Sequence, residues 1–286
     1  MKRTLLCISL LIPAFMYSQG GSEIMLFDLS IHKNSGHLTN PRNITQHPGY
    51  DNQPFFHPTQ PLLFYASFDD QGRAEIRSYN LKSKKTIQVT QTSEREYSPT
   101  VTPDLKYVSC IIQRDNGAQD LGKYPLEGGT AVVMVDYLTV GYHAWLDNSN
   151  VGLFVLGEPN SFHILRLPDR ADTVIATNIG RSVHKVPGEH AISFVVKAET
   201  GWQIMKWNHE NKKLILLAPC LPNREDLAWT PDGKMIMSDG TGFFVWGGTD
   251  QQKWIPITTP PDWKGKEITR LTVSADGKML AAVVAE

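Results

Sequence analysis

Two stretches near the C-terminal end decide the fold: Leu227-Ala-Trp-Thr-Pro-Asp-Gly-Lys-Met-Ile-Met237 and Leu271-Thr-Val-Ser-Ala-Asp-Gly-Lys-Met-Leu-Ala281. Each consists of an apolar stretch, a tight turn and a second apolar stretch. In the turn, the Asp side chain can accept hydrogen bonds from backbone amides two residues on, and Gly supplies the positive φ that the turn needs. Each stretch therefore predicts a β-hairpin.

The same unit recurs along the chain at a nearly fixed spacing. Less regular copies lie at Phe56–Phe64, Val101–Val108, Trp145–Leu153 and Val183–Ile192. The residues that end the first apolar stretches, 39 to 45 residues apart, are Phe56, Val101, Trp145, His184, Trp229 and Val273. A period of roughly 40–50 residues built from short strands is typical of β-propeller blades. Trp145 and Trp229 share one repeat position and are interpreted as wedges between blades.

The repeats predict an all-β fold, a six-bladed β-propeller with four antiparallel strands in each blade. The last blade has only two strands before the C-terminus, Thr269–Val273 and Met279–Val284. Two unassigned strands at the other end, Ile24–Ile31 and Asn40–Thr45, would lie beside Val284, complete this blade and close the ring. Closure pairs strand edges that would otherwise be open to aggregation.

The N-terminal residues have the layout of a secretory signal peptide. Lys2 and Arg3 precede a mostly apolar run from Leu5 to Phe15, which is too short to span a bilayer. We expect residues 1–18 to be the signal peptide, with cleavage after Ser18, and residues 19–286 to be the propeller. The protein would then be periplasmic or secreted. The alternative is a buried N-terminal strand.

Composition argues against several classes of partner. The 286 residues carry a formal net charge of −1 without a block of like charges, so nucleic acid is not an expected partner. After the N-terminal segment, the sequence contains no apolar run of the roughly 18–20 residues that a membrane helix needs. Cys110 and Cys220 fall on different blades, so no disulfide is expected, and no zinc-type Cys/His cluster occurs. No cofactor is expected.

The repeat resembles that of the TolB family, from about residue 23 to residue 286. The motifs that carry the resemblance are the turns with the Pro-Asp-Gly-Lys pattern and the segments Ile24–Asp28, Asp51–Pro54, Tyr124–Leu126, Val140–His143 and Ala228–Gly233. The resemblance implies a soluble envelope protein whose propeller binds partners. The α/β domain that precedes the propeller in TolB itself is not expected in this chain.

The polar residues that open the inner strands are the candidate site, because the inner strands begin at the mouth of the central funnel. The residues predicted to bind a ligand or partner are Asp51, Asn52, Arg95, Glu96, Tyr97, Tyr142, His143, His184, Glu225, Asp226 and Arg270. The alternative is that these residues are polar only because the funnel mouth is solvated.

The function expected from the sequence is non-enzymatic binding of an envelope or secreted protein or peptide, with a glycan as a further candidate. The sequence lacks Gly-x-Ser-x-Gly, a Gly-rich phosphate loop and His-Glu-x-x-His, so no catalytic residue is assigned. One rival is a metal-dependent lyase or lactonase in which His143 and His184 bind an ion with Asp51 or Glu96. Another is a structural subunit that assembles through its blade edges.

Overall fold

The computed structural model describes residues 21–33, 35–247 and 252–286. The predicted signal peptide, residues 1–18, and its cleavage site lie outside the described residues. All regular structure in the described part is β, and no helix there could cross a membrane.

Four sheets follow one another along the chain, each antiparallel and four-stranded. The first contains β3 (Asp51–Phe56), β4 (Leu62–Phe68), β5 (Ala74–Asn80) and β6 (Thr86–Gln88). The second contains β7 (Arg95–Val101), β8 (Tyr107–Gln113), β9 (Gln119–Pro125) and β10 (Val132–Val135). The third contains β11 (Val140–Trp145), β12 (Asn150–Val155), β13 (Ser161–Arg166) and β14 (Ala171–Thr177). The fourth contains β15 (Ile179–Lys185), β16 (Ala191–Ala198), β17 (Gly201–Asn208) and β18 (Lys213–Pro219).

The remaining eight strands form a single sheet. They are β1 (Ser22–His32), β2 (Ser35–Asn43), β19 (Leu227–Trp229), β20 (Met235–Ser238), β21 (Phe243–Trp246), β22 (Trp254–Thr258), β23 (Thr269–Val273) and β24 (Met279–Ala285). Their order is β19-β20-β21-β22-β2-β1-β24-β23, and β1 pairs antiparallel with β24 so that Glu23 lies opposite Val284. The fold is therefore an all-β propeller with four-stranded blades.

The structure has four separate four-stranded blades where six are predicted, because β2 and β22 join the last two predicted blades into one sheet. They pair in parallel over only two residue pairs, Gly36 with Ile257 and His37 with Thr258. A Cβ at Gly36 would lie 3.0 Å from Cγ1 of Ile257, so glycine permits this close approach.

The second N-terminal strand also differs from its predicted bounds. β2 begins at Ser35 rather than at Asn40. The chain reverses after Lys33, whose φ is 52°, and His32 already pairs with Ser35. The repeat pattern could not indicate this hairpin, since its turn lacks the Asp-Gly signature.

The turns that decided the fold have the expected geometry. Gly233 has a φ of 84° and Gly277 a φ of 71°. The Lys278 amide donates to Oδ1 of Asp276, two residues before it, at 3.1 Å. These aspartates are structural residues of the turns.

The hydrophobic core is divided among the contacts between neighbouring sheets. Phe64 and Ile76 of the first sheet pack with Val108 and Tyr124 of the second. The free thiol of Cys110 is buried in the same cluster, and Cys220 is also a free thiol. The first strands of the six predicted blades, β3, β7, β11, β15, β19 and β23, contact one another and surround a central cavity.

Candidate functional site

Bulges in the first strands shape the central cavity. The pairing register shifts in five of these strands, between Asn52 and Phe55, Tyr97 and Thr100, Val140 and Tyr142, Ile179 and Val183, and Thr269 and Leu271. Within the shifts, Gln53 and Ser98 each have a φ of 55° and Arg270 a φ of 43°. Bulges change the direction in which side chains point. A positive φ at a non-glycine residue costs roughly 1–3 kcal/mol, and the packing of the surrounding sheets must offset this strain.

The cavity has a volume of about 270 Å³ and is lined by residues of the first strands. Five of the eleven predicted site residues line it, namely Tyr142, His143, His184, Asp226 and Arg270. Arg181, a further polar residue that opens an inner strand and is a candidate on the same grounds, also lines the cavity. Polar lining residues absent from the predicted set are Gln53, Ser98, Thr100, Ser182 and Lys185. The non-glycine bulges that place Gln53 and Ser98 have no recognised sequence signature.

Asp226 is held between two arginines. Arg181 donates to both of its carboxylate oxygens, from Nε at 3.2 Å and from Nη2 at 2.7 Å. Arg270 donates from Nη1 to Oδ1 at 3.3 Å. Burial acts to raise the pKa of Asp226, but the charges of Arg270 and Arg181 outweigh it, so the pKa lies below its ordinary value. Asp226 is therefore an anion that fixes both guanidinium groups.

Tyr142 connects Arg270 to the opposite side of the cavity. Its hydroxyl oxygen accepts a hydrogen bond from Nη2 of Arg270 at 2.6 Å and a longer one from Nε2 of Gln53 at 3.5 Å. The amide oxygen of Gln53 in turn accepts from the backbone N–H of Ser98 at 2.9 Å. Strands of four different sheets are thus joined through Gln53, Ser98, Tyr142 and Arg270.

The hydrogen bonds of Ser109 fix the tautomer of His143. Ser109 Oγ lies 2.9 Å from the carbonyl oxygen of Thr100, 2.8 Å from Nε1 of Trp145 and 2.7 Å from Nε2 of His143. The carbonyl can only accept and the indole can only donate, so the single hydroxyl proton points to Thr100. All three bonds form only if His143 donates from Nε2. Its Nδ1 is then a bare acceptor.

The two histidines of the cavity are neutral at physiological pH. Burial lowers the pKa of His143 to about 3. Burial also lowers the pKa of His184 to about 4, against the opposing charge of Asp226. Nε2 of His184 lies 2.8 Å from Oγ of Ser182, which also accepts from the backbone N–H of Leu227. A general acid or base works best with a pKa near the operating pH, and neither imidazole has one.

Six predicted residues are not brought into the cavity. Asp51 and Glu96 are buried within the sheets, while Arg95 does not line the cavity and forms an ion pair with Asp115 at 2.9 Å. Burial raises the pKa of Asp51 to about 6, against the opposing effects of Ser67 and His47. The other three are Asn52, Tyr97 and Glu225.

Each of these three has a supporting contact instead. Asn52 accepts from the backbone N–H of Gln53 at 2.9 Å, and Glu225 accepts from the backbone N–H of Arg181 at 2.8 Å. Tyr97 packs edge-on against Tyr50. Asn52 and Glu225 thus support residues that do line the cavity.

We expect Ser109→Ala to lower the free energy of unfolding by about 2 kcal/mol, since it leaves the Trp145 indole and His143 Nε2 buried without their common partner. Thermal or urea unfolding measures this loss. Ser193→Ala is the matched control, because Ser193 accepts from Trp229 at the same repeat position at 2.8 Å, while its own hydroxyl donates to the backbone carbonyl of His184 at 3.5 Å rather than contacting an imidazole ring. An equal loss in both variants would contradict the role assigned to the contact with His143.

The cavity offers few donors to a metal ion. In the described ranges, no group of three or more His, Cys, Asp or Glu side chains is arranged to hold a metal ion. His143 and His184 both use Nε2 in bonds to serine, and the carboxylate of Asp226 is held by two arginines.

The sequence matches no protein-family model and no curated protein. Among solved structures, the chain is similar to a provisionally named TolB from Agrobacterium tumefaciens, with a TM-score of 0.73 and 14% identity over 94% of this chain and 99% of that one. It is similar to TolB from Acinetobacter baumannii, with a TM-score of 0.59 and 11% identity, covering 93% of this chain and 64% of that one. An oligogalacturonate lyase in complex with manganese has a TM-score of 0.59 and 15% identity over 94% of this chain and 98% of its own. Identities of this size show the fold alone, and they confirm the resemblance at that level.

Proposed function

We propose that this TolB-like β-propeller is a secreted or periplasmic binding module that acts without catalysis and takes part of a protein or peptide partner into its central cavity. The observation that carries the proposal is the cavity itself, whose polar groups are fixed by hydrogen bonds between different sheets. A surface fixed before binding loses little conformational entropy when a partner docks. Rigid scaffolds that present a few polar groups in a concave site are typical of recognition.

We interpret the eight-stranded sheet as two blades, which gives a six-bladed ring in total. The first strands of the blades contact one another in the cyclic order β3, β7, β11, β15, β19, β23 and back to β3. The pairing of β1 with β24 would then close the ring through the sixth blade. In this arrangement one cavity is shared by all six blades, which supports a single axial site.

The chemistry of the cavity supports binding over catalysis. Its carboxylate, Asp226, is fixed in ion pairs with Arg181 and Arg270. Its two imidazoles have pKa values of about 3 and about 4, too low for proton transfer near neutral pH. These groups are suited to hold a partner.

An affinity capture with residues 19–286 as bait tests the proposal. A cavity variant carrying Gln53→Ala, Tyr142→Ala and Arg270→Ala is expected to lose at least about nine-tenths of the partner captured from the envelope fraction, because the loss of even one charged contact costs about 1.5–3 kcal/mol. Mass spectrometry of the captured proteins measures the loss, and circular dichroism checks that the variant folds.

Two further baits give the controls. Arg95→Ala with Asp115→Ala alters an exposed ion pair outside the cavity and should retain the partner. Leu214→Ser with Leu216→Ser alters exposed apolar residues of β18, the outermost strand of its sheet. A partner that is lost only with the β18 variant would overturn the proposal in favour of assembly through blade edges. A partner retained by every variant would also contradict a cavity site.

The metal-dependent enzyme remains the second candidate, favoured by the fold similarity to the oligogalacturonate lyase in complex with manganese. It requires a stoichiometric divalent ion at His143 or His184. The donor set fits this poorly, since two isolated imidazoles already bonded to serines are too few ligands for a catalytic metal, which typically has three from the protein. Metal analysis of the purified protein would distinguish the two candidates.

A further inference from the structure

The charges that line the cavity favour an anionic ligand. Arg181, Lys185 and Arg270 are cationic, whereas Asp226 is the only carboxylate among the lining residues that the structure describes. The two histidines are neutral, so the lining carries a formal net charge of +2. A narrow cleft with one sign of charge attracts ligands of the opposite sign.

Two hydrogen-bond donors remain unused at the side of the cavity occupied by Arg270. Nε of Arg270 is buried and has no partner among the described residues. The hydroxyl oxygen of Tyr142 accepts from Arg270 and Gln53, which leaves its own O–H free to donate. A guanidinium N–H and a phenolic O–H both donate to carboxylate oxygens.

One acceptor also remains unused. His143 is 6% exposed and lines the cavity, and its Nδ1 is buried without a partner in the described part of the chain. The bonds of Ser109 make this nitrogen an acceptor. A buried acceptor without a donor costs about 1–3 kcal/mol, so a ligand with a suitably placed N–H or O–H would recover that free energy.

The size of the cavity limits the ligand. The cavity volume is about 270 Å³. This is near the lower end of the range for small-molecule pockets. A small acid or the end of a chain fits, and a long folded segment does not.

We propose that the cavity binds a carboxylate with a neighbouring hydrogen-bond donor, the carboxylate against Arg270 and Tyr142 and the donor against Nδ1 of His143. The proposal rests on the proposed function in that it uses the same cavity. This chemistry occurs at the C-terminus of a peptide, where an amide N–H adjoins the carboxylate, and in free hydroxy acids.

Titration of the wild-type protein with N-acetylglycine and with glycolate, followed by calorimetry or by amide chemical shifts, tests the proposal. N-acetylglycine represents the end of a peptide, and glycolate represents a hydroxy acid. We expect saturable binding of at least one acid, and loss of binding by the neutral analogue N-acetylglycinamide. Propionate, which lacks the donor, should bind the wild type several-fold more weakly than the better acid. His143→Phe should remove that difference.

Single substitutions test whether the acid binds in the cavity. Arg270→Gln should weaken binding at least about tenfold, as expected for the loss of a charge-assisted hydrogen bond. Tyr142→Phe removes only the hydroxyl and provides a second variant if Arg270→Gln does not fold. Arg95→Gln, outside the cavity, should bind as the wild type does.

The outcomes separate this proposal from the proposed function. Equal affinity of the acids for wild type, Arg270→Gln and Tyr142→Phe would overturn the carboxylate site, as would the absence of any binding up to about 10 mM acid. A cavity-dependent captured partner together with either result would leave the proposed function standing. Acid binding without any captured partner would support the carboxylate site and count against a protein partner.

Discussion

Asp226→Asn is expected to lower the free energy of unfolding by about 2–4 kcal/mol. Removing one partner of a largely buried ion pair leaves a charge without compensation, which costs about 3–5 kcal/mol when burial is complete. The side chains of Asp226, Arg181 and Arg270 are 15%, 30% and 18% exposed, so we expect a smaller loss of stability than for a fully buried pair. Urea unfolding at neutral pH measures it. The amide keeps the shape of the carboxylate, so packing changes little.

Arg270 makes this loss larger than that of an ordinary ion pair. Arg181 has a second carboxylate in Glu225 at 3.5 Å, whereas Arg270 forms its one ion pair in the described ranges with Asp226. The double variant Asp226→Asn with Arg270→Gln should therefore be less destabilised than the sum of the two single variants.

A surface ion pair provides the control for Asp226→Asn. Asp169→Asn removes the partner of Arg166 in a pair whose side chains are 49% and 57% exposed, and it should cost less than about 1 kcal/mol. Equal losses at Asp226 and Asp169 would show that the charges in the cavity are as well solvated as those at the surface. That result would also weaken the case for an electrostatic site.

The repeat was sufficient to predict the cross-sheet contacts of the tryptophans. Trp145 and Trp229 occupy one repeat position, which predicts that they are wedges between blades. Each donates its indole N–H to a serine 36 residues earlier in the preceding sheet, Ser109 or Ser193. The same two repeat positions therefore make the same contact in both places.

The site could be predicted only in part, because the bulges break the alternation of the inner strands. Successive side chains of a regular strand point to opposite faces, and one extra residue reverses all that follow. Asp51 and Glu96 precede the bulges and are buried within the sheets, whereas Gln53 and Ser98, two residues further on, line the cavity. Single-sequence patterns do not reveal a positive φ at glutamine or serine.

The position of Glu96 places two carboxyl groups together between the first and second sheets. Glu75 and Glu96 are 1% and 0% exposed. Thr92 donates to both, from its backbone N–H to Glu75 at 2.9 Å and from its hydroxyl to Glu96 at 2.8 Å, and Tyr124 also donates to Glu96 at 2.8 Å. Oε2 of Glu96 is buried without a partner among the described residues. Burial, together with the neighbouring Glu75, raises the pKa of Glu96 from 4.5 to about 7, although Thr92 and Tyr124 act to lower it.

This raised pKa predicts a pH-dependent effect of Glu96→Gln. Between pH of about 4.5 and 7 the folded state holds the proton on Glu96 more tightly than the unfolded chain does, so the stability that this group contributes falls as pH rises through that window. Glutamine resembles the protonated acid and does not ionise. The variant should match the wild type near pH 5 and become more stable than it near pH 8, by on the order of 2–3 kcal/mol.

The quantity to measure is the difference in free energy of unfolding between Glu96→Gln and the wild type, obtained by urea unfolding at several pH values. Burial lowers the pKa of His143 and of His184, so their contribution to the free energy of unfolding falls as pH falls from about 6.5 toward 4. In the wild-type protein this pH dependence is opposite in sign to that of Glu96. Both histidines are present in each protein and cancel in the difference. Glu94→Gln, on the same segment and beside Arg114 at 3.3 Å, controls for the loss of a less buried carboxylate. If the difference in free energy of unfolding between Glu96→Gln and wild type stays constant from pH 5 to pH 8, Glu96 is charged in the folded protein throughout that range. The seam between the first two sheets would then hold a buried carboxylate at Glu96, stabilised only by the hydroxyl donors of Thr92 and Tyr124.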